Sequence, residues 1–261
     1  MKIIVCIKQV PDTKGGVAFN PDGTLNRAAM LAIMNPDDKA GLEAALRLKD
    51  ELGAEVTVLT MGLPKATDML REAYAMGADK MILVTDRVLG GADTWATSST
   101  IAAALRNLDY DLIITGRQAI DGDTAQVGPE IGEQLGLPQV TYALEAKVEG
   151  DELHVRKEIE GGVEVVGIKF PCLVTFTKPS FDPRYPTIKS KLKANKTEIP
   201  IIAPADLPEV DLTKCGLKGS PTRVKSTFVP PAKQGGVKIK EETDEDSAKK
   251  LFTMLSEAHV I

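Results

Sequence analysis

Short apolar runs alternate with helix-like segments through the first half of the chain, and this alternation restricts the fold more than any other feature. The runs are Lys2 to Ile7, Glu55 to Thr60, Lys80 to Thr85 and Tyr110 to Thr115. Each is short and almost continuously apolar, as strands covered on both faces are. Between the first two lies Asn35-Pro36-Asp37-Asp38, which predicts a helix start: Asn in the cap position, Pro in the first turn and two acids at the positive end of the dipole. Leu42, Ala45, Leu46 and Leu52 form the apolar stripe of that helix and Gly53 ends it. Pro64 opens the next helix, with Met69, Leu70, Ala73 and Met76 inward and Gly77 as terminator. Thr94 to Leu108 and a segment containing Pro129 to Leu135 complete the series. Strands that alternate with helices at this spacing predict an α/β fold with a doubly wound parallel sheet, because crossovers between parallel strands are right-handed.

The pattern changes after Gln139. Val140 to Val148, Leu153 to Ile159 and Val163 to Phe170 read as strands joined at Gly150-Asp151 and Gly161-Gly162, which predicts an antiparallel hairpin excursion. Pro171 to Lys178 can return to the main sheet. Beyond it, prolines at 179, 183, 186, 200, 204, 208, 221, 230 and 231 deny long regular elements until a helix from Thr243 to Ala258. That helix carries Ala248, Leu251, Phe252 and Leu255 as a stripe, with Thr243 and Asp246 at its start. An extended C-terminal arm of this kind folds back on its own core or lies across another subunit; its scarcity of internal core favours the second.

Several function classes are excluded or disfavoured. The net charge of -5 argues against nucleic-acid binding. No apolar run approaches the ~20 residues needed to span a bilayer, and the first ten residues leave no room for a secretory apolar region. Cys6, Cys172 and Cys215 are far apart and odd in number, which suits a reducing, cytoplasmic setting with buried thiols. There is no G-x-G-x-x-G after a strand, no G-x-x-x-x-G-K-[ST] and no G-x-S-x-G. The two histidines, His154 and His259, have no nucleophile or second ligand near them in sequence. No catalytic side-chain constellation and no metal site is found.

Three segments carry binding chemistry. The first runs from Thr115 through Gly116, Arg117, Gln118, Ala119, Ile120, Asp121, Gly122, Asp123, Thr124 and Ala125 to Gln126. It leaves the carboxyl end of a strand, the ligand edge of open α/β sheets, and ends at a helix start whose free N–H groups suit an anion. If the first and fourth strands are neighbours, a crevice opens between Cys6-Ile7-Lys8 and this loop. Gly116 and Gly122 would let the backbone approach a ligand. The competing reading is a Gly/Asp-rich surface turn capped by Asp123 or Thr124. The second segment, Gly90 to Ser98, contains Ala92, Asp93, Thr94 and Thr97; it suits a diphosphate at a helix N-terminus, or is a plain turn capped by Asp93. The third, Arg184 to Lys196, holds five cations and no acid, interleaved with Ile188 and Leu192. It is a solvated face or a protein-docking anchor with electrostatic steering.

In order and spacing, these motifs resemble the β subunit of an electron-transfer flavoprotein over essentially the whole chain. The carriers are Ile3-Ile4-Val5-Cys6-Ile7-Lys8, Met34-Asn35-Pro36, Ala75-Met76-Gly77-Ala78-Asp79 and Gly116-Arg117-Gln118-Ala119-Ile120-Asp121. Glu149-Gly150-Asp151, Glu158-Ile159-Glu160-Gly161-Gly162, Pro183-Arg184-Tyr185 and Gly235-Gly236-Val237-Lys238-Ile239 extend the match. The resemblance implies a Rossmann-like adenine-nucleotide-binding fold and a heterodimer with an α subunit carrying FAD. It places a nucleotide on Cys6, Asn35 to Asp38 (Asn35 and Asp38 above all), Met61, and Gly116, Arg117, Gln118, Asp121, Gly122, Asp123, Thr124, Ala125, Gln126 and Val127. The Asp86-Arg87 loop with Ala92, Asp93, Thr94 and Thr97 resembles the electron-bifurcating branch, which implies FAD in place of AMP. That branch takes electrons from NADH, passing one to ferredoxin or flavodoxin and one, through the α-subunit FAD, to an acyl-CoA dehydrogenase. Pro183 to Lys196 matches the dehydrogenase-recognition loop, with Arg184, Tyr185, Ile188, Lys189, Lys191, Leu192, Lys193 and Lys196 as contacts. Ile188 stands where the family commonly has Leu.

The implied organisation is a nucleotide-binding domain over 1–180 that includes the antiparallel strands of 139–178, a recognition loop over 181–200, and an arm over 201–261 that packs on the α subunit. The rivals are an ordinary electron-transfer flavoprotein β subunit holding AMP and a stand-alone ATP-binding stress-type module, which needs neither hairpins, basic loop nor arm. An adenine-nucleotide pyrophosphatase of similar fold wants Ser-Gly-Gly after the first strand, where this chain reads Gln9-Val10-Pro11-Asp12.

Overall fold

The strands predicted from apolar runs lie side by side because nothing else on the chain can cover both of their faces. The structure, a computed structural model, describes residues 1–12, 31–178, 181–226 and 235–261. Pro179, Pro230 and Pro231, read above as breakers, lie outside the described residues. The first half contains β1 (Lys2–Cys6), β2 (Gln9–Pro11), β3 (Ala32–Met34), α1 (Pro36–Leu52), β4 (Glu55–Met61), α2 (Thr67–Met76), β5 (Lys80–Val84), α3 (Thr94–Leu105) and β6 (Leu112–Gly116). Then come α4 (Val127–Leu135), β7 (Gln139–Glu149), β8 (Glu152–Ile159), β9 (Gly162–Lys169), β10 (Cys172–Phe176), α5 (Ile188–Lys196), β11 (Ile201–Ile202), α6 (Gly216–Gly219) and α7 (Asp244–Glu257).

Among the described residues, nine strands form one sheet in the order β11-β5-β4-β1-β6-β10-β7-β8-β9. All pairings from β11 to β7 are parallel, whereas β7, β8 and β9 pair antiparallel. The fold is therefore α/β with a doubly wound, mostly parallel sheet. β1 sits between β4 and β6, so chain order reverses at β1, as expected for a crevice at its carboxyl end. The hairpins are not a separate excursion. β7 is 11 residues long; its first part pairs parallel to β10 and the rest runs out antiparallel to β8. The register against β10 shifts across Tyr142, whose φ of 61° marks a bulge, and the register against β8 shifts between Ala143 and Glu145, so the strand changes role over these residues.

The two faces of the sheet build two cores. Ile3 and Val5 face α1 and α2 with Leu42, Leu46, Met69, Leu70 and Ala73, while Ile4 and Cys6 face α3 and α4 with Ile101, Ala104, Leu105 and Ile131. A fully buried leucine such as Leu46 contributes about 1.5–3 kcal/mol. α3 ends at Leu105, short of the expected Leu108, because the amide of Leu108 closes a tight turn onto the Leu105 carbonyl. Pro64–Ala66 is a 3-10 turn, and the α-helix proper begins at Thr67.

The chain divides into two compact units, Met1–Lys225 and Ser226–Ile261. Residues 201–225, expected in the arm, belong to the first unit: β11 adds a parallel strand beside β5, and the amide of Leu217 donates to the carbonyl of Gly90. Gly216, at φ 55°, lies against the carbonyls of Val88 and Gly90, where a Cβ would come within 2.1 Å. The second unit contains α7, capped by the Thr243 hydroxyl, which accepts from the Asp246 amide; Leu251 and Phe252 on this helix are exposed. Among the described residues, no helix is long and apolar enough to cross a membrane.

Candidate functional site

At the carboxyl end of β1, the start of α1 grips both the strand and the β6–α4 loop. Asn35 occupies the cap position of α1, yet its side chain caps nothing in the helix. Its Nδ2 donates to the carbonyl of Gln118 at 2.8 Å, and its Oδ1 accepts from the amide of Ile120 at 3.1 Å. Asp38 Oδ2 accepts from the amide of Lys8 at 2.7 Å, and its Oδ1 accepts from the amide of Gly116 at 3.0 Å. The Asp38 carboxylate also takes a hydrogen bond from Asn35. Both side chains are buried. Lys8 Nζ pairs with Asp121 at 2.7 Å, and Arg117 Nε lies 3.3 Å from Asp37 Oδ2 as an ion pair rather than an aligned hydrogen bond. The loop is thus held at Gly116, Arg117, Gln118, Ile120 and Asp121.

The electrostatics follow from burial. Desolvation pushes Asp38 up to about 7 against the hydrogen bonds from Asn35, Lys8 and Gly116, and the neighbouring Asp37 pushes the same way. Asp37 is also raised, first by burial, with Arg117 and the Gln118 amide opposing. Burial, assisted by the Asp38 charge, lifts the Cys6 thiol to about 12, so it stays protonated and apolar in character. Gly116 does not serve to admit a ligand: a Cβ there would lie 2.2 Å from Asp38 Oδ1 and 2.7 Å from its amide nitrogen. Its smallness admits α1. Gly122 has open space around its missing Cβ.

The α3 and α4 starts meet across the same rim. Asp93 caps α3 by accepting from the Ala96 amide, and it also accepts from the amide and hydroxyl of Thr222, while Ser220 Oγ accepts from the Asp93 amide. Partial burial works to raise Asp93, but these donors outweigh it and hold the carboxyl below its ordinary value. The Thr94 hydroxyl reaches α4, at 3.0 Å from Gln126 Oε1 and 3.2 Å from Glu130 Oε1. Gln126 is the residue before α4 and provides no side-chain cap, so the loop is not the Asp123- or Thr124-capped turn considered above. Asp123 instead accepts from Gln118 Nε2 at 2.9 Å, and both Asp123 and Ala125 have positive φ, at 50° and 53°. Gly128 fits α4 tightly onto the sheet, since a Cβ would meet Thr115 Oγ1 at 2.6 Å. A helix start without a side-chain cap, beside a loop of alternating backbone handedness, is an arrangement that suits an anion.

The expected residues thus converge on one edge. Cys6, Asn35, Asp38, Gly116 and Arg117 form its floor and Met61 ends the neighbouring β4. Ala92, Asp93, Thr94 and Thr97 flank α3, and Gln118, Asp121, Gly122, Asp123, Thr124, Ala125, Gln126 and Val127 form the loop and the first residue of α4. Of the loop, Asp121 to Thr124 and Gln126 are exposed. Glu130, Ser220 and Thr222 escaped the sequence reading. Glu130 is signalled only by its place in the first turn of α4, and nothing local marks the other two, which lie over a hundred residues from Asp93.

The basic segment is built differently. Arg184 is not free for a partner: Nε and Nη2 bind the buried Glu43 at 2.9 and 3.0 Å, and Nη2 also reaches Asp50 at 2.8 Å. Thr187 and Ser190 form a capping box at the start of α5. At the other end, Arg71 donates to the carbonyls of Ala194 and Thr197, and Lys193 lies over the Tyr74 ring. What remains outward is Tyr185 (89% exposed), Ile188 (81%) and Leu192 (59%), with Lys189, Lys191, Lys193 and Lys196.

Residues 22–207 match the electron transfer flavoprotein domain family. The chain is 48% identical over 268 residues to the acryloyl-CoA reductase electron transfer subunit gamma of Anaerotignum propionicum, with all of both chains covered. It is 50% identical to the electron transfer flavoprotein subunit beta of Clostridium acetobutylicum and 47% to the caffeyl-CoA reductase-Etf complex subunit CarD of Acetobacterium woodii, again over the full length of each. A floor that fixes a loop at the switch point of a parallel sheet, and full-length relatives that are electron-transfer subunits, lead to one conclusion. The chain belongs to the electron transfer flavoprotein family and is of the β-subunit type.

Proposed function

We propose that the rim holds FAD and that the chain is the β subunit of an electron-bifurcating, heterodimeric flavoprotein. The observation that carries the reading is the meeting of two helix starts, α3 and α4, through the Thr94 hydroxyl and Gln126. One helix start beside the β6–α4 loop suffices for a mononucleotide. A second one next to it offers a diphosphate the first amides of α3 and the hydroxyls of Thr94 and Thr97. Relatives named for acryloyl-CoA reductase and for a caffeyl-CoA reductase complex support the same branch. On this reading the α1 start and the loop seat the adenosine, and Thr94, Thr97 and the α4 amides take the diphosphate. The bound flavin supplies the redox chemistry, receiving electrons from NADH and dividing them between ferredoxin or flavodoxin and, by way of the α-subunit FAD, an acyl-CoA dehydrogenase. The chain's residues bind and orient. The exposed face of α5 docks the dehydrogenase and α7 docks the α subunit.

A second reading, AMP in an ordinary transfer flavoprotein, is favoured by the acids at the same place. Glu130 Oε2 is buried without a hydrogen-bond partner among the described residues, and Asp93 stands at the start of α3. Two carboxylates there oppose a diphosphate unless its other contacts outweigh them. Extracting and counting nucleotides from the purified heterodimer separates the two readings. Two FAD per heterodimer is the expected result; one FAD and one AMP sinks bifurcation. Replacing Thr94 or Thr97 by a bulky residue is expected to empty the β flavin, and full occupancy in those variants would displace the diphosphate from α3.

A further inference from the structure

The polar groups at the α1 start are saturated within the protein, which assigns them a task other than ligand contact. Asn35 uses both ends of its carboxamide on the loop, at Gln118 and Ile120, and donates to Asp38 as well. Asp38 receives the amides of Lys8 at the end of β1 and Gly116 at the end of β6. The Asn35 amide donates to the Lys8 carbonyl, which closes the circuit. Asn35 is 0% and Asp38 6% exposed, so a ligand lying on the rim finds neither group available. We infer that Asn35 and Asp38 are positioning residues: their side chains act not on the nucleotide but through the backbone of 116–120, holding the β6–α4 loop in its binding shape before anything binds.

This inference rests on the rim being the nucleotide site, but its core is a statement about the loop and can be tested apart from it. A loop already held in place loses less freedom on binding, so affinity depends on residues one layer beneath the ligand. The Asn35 clamp is also local. It bears on two adjacent backbone groups of the loop, so its loss is expected to free those groups while the buried strands keep their protection.

The experiment compares the full-length chain with N35A and D38N. Hydrogen–deuterium exchange is read at single amides, and binding of added AMP and FAD is followed through Trp95, the single tryptophan, half exposed at the start of α3. N35A is expected to speed exchange of the Ile120 amide at least tenfold, and D38N that of either Lys8 or Gly116, whichever loses its acceptor to the new amide nitrogen, with Val5 and Ile114 unchanged. Both variants are expected to weaken AMP and FAD at least tenfold. Unchanged exchange at Ile120 in N35A overturns the inference whatever the nucleotides do. Wild-type affinity in spite of faster exchange overturns it too, because the loop's shape would then not govern binding. A nucleotide-bound structure with the Asn35 carboxamide on the ligand also defeats it. Should the unaltered chain bind neither nucleotide, the rim reading falls while the exchange data still decide the loop's anchorage. If N35A does not fold, N35L, close to Asn in shape, removes both the donor to Gln118 and the acceptor for Ile120 and carries the same test.

Discussion

The rim at the carboxyl end of β1 and the basic segment both hang from helix α1, yet they use their polar groups in opposite ways. At the rim, Asn35 and Asp38 turn inward and are satisfied by backbone of the same chain. In the basic segment Arg184 turns inward to Glu43, Arg71 of α2 holds the end of α5 and Lys193 lies over Tyr74, while Ile188, Leu192, Lys189, Lys191 and Lys196 stay exposed. The difference agrees with the task proposed for each place. A site for a small, polyfunctional ligand gains from a rigid floor with every buried donor paired. A site for a large partner gains from a pinned frame with an unpaired face, whose groups find their partners only on docking.

The comparison breaks most visibly at Gly116. G116V forces a side chain into the space of Asp38, and overpacking of this kind costs about 3 kcal/mol at the upper end. Urea denaturation is expected to show that loss together with loss of added nucleotide. Wild-type stability would mean α1 can retreat from β6 freely, and the floor would not be rigid.

The anchor of the basic segment comes next. R184A strips the buried Glu43 carboxylate of its bidentate partner, leaving Arg47 at 3.5 Å. Breaking a buried pair costs several kcal/mol; with Arg184 33% exposed, about 2 kcal/mol is expected. Because the Arg184 amide also donates to Glu43, E43Q, which keeps an acceptor, is expected to lose less. Equal losses in the two variants would deny that the orphaned charge is the cause.

These two cases also show what a sequence can disclose. The strands were legible because their apolar runs are local and uninterrupted, and the helix at Pro36 because Asn-Pro-Asp-Asp is a local signal. The task of Asn35 was not: a cap and a clamp look alike until Gln118, 83 positions away, is placed beside it. Gly116 misled for the same reason, since smallness toward a ligand and smallness toward a helix leave the same letter. Arg184 read as a free cation because Glu43, 141 positions away, carries no mark of its burial. The loop after β5 read either as a diphosphate site or as a plain turn capped by Asp93; the cap is present, but its cover by Gly216 and Ser220 is a tertiary fact with no local trace. Edge and loop of the site could therefore be read, and the layer that holds them could not.

The pH response sharpens the rim's side of the comparison. Asp38 is raised to about 7, while an unfolded aspartate titrates near ~3.9, so between those values the native chain keeps a proton that the unfolded chain has lost. The stability this proton confers is complete below about pH 4 and is lost as pH rises toward 7, at most about 1.4 kcal/mol per pH unit. Other carboxylates add their own slopes, so the quantity to measure is wild type minus D38N, in urea, from pH 4 to 7. It is expected to fall with rising pH. The groups that face this carboxyl are Cys6 on β1, Asp37 on its own helix and, through Asp37, Arg117; the thiol stays neutral throughout the window. A flat or rising difference would show that Asp38 is ionised in the fold across the whole range.

The smallest effect on stability belongs to the exposed face of α5, and there the comparison runs the other way. Ile188 is 81% exposed, so I188A removes almost no buried area and is expected to change stability by no more than about 0.5 kcal/mol. If α5 docks a dehydrogenase, the same change removes an apolar anchor that becomes buried only in the complex, and such anchors carry a large share of binding. Electron transfer to the partner is then expected to need at least tenfold more dehydrogenase for half-maximal rate, with the rate at saturation unchanged. L192A, at 59% exposure, should behave alike but more weakly if less of it remains to be covered. Replacing Lys189 and Lys191 by Ala should lower the association rate and its salt dependence without touching saturation. Were I188A to lower stability and leave the half-maximal concentration alone, the segment would be ordinary surface that happens to be pinned at both ends, and the contrast with the rim would lose its functional meaning.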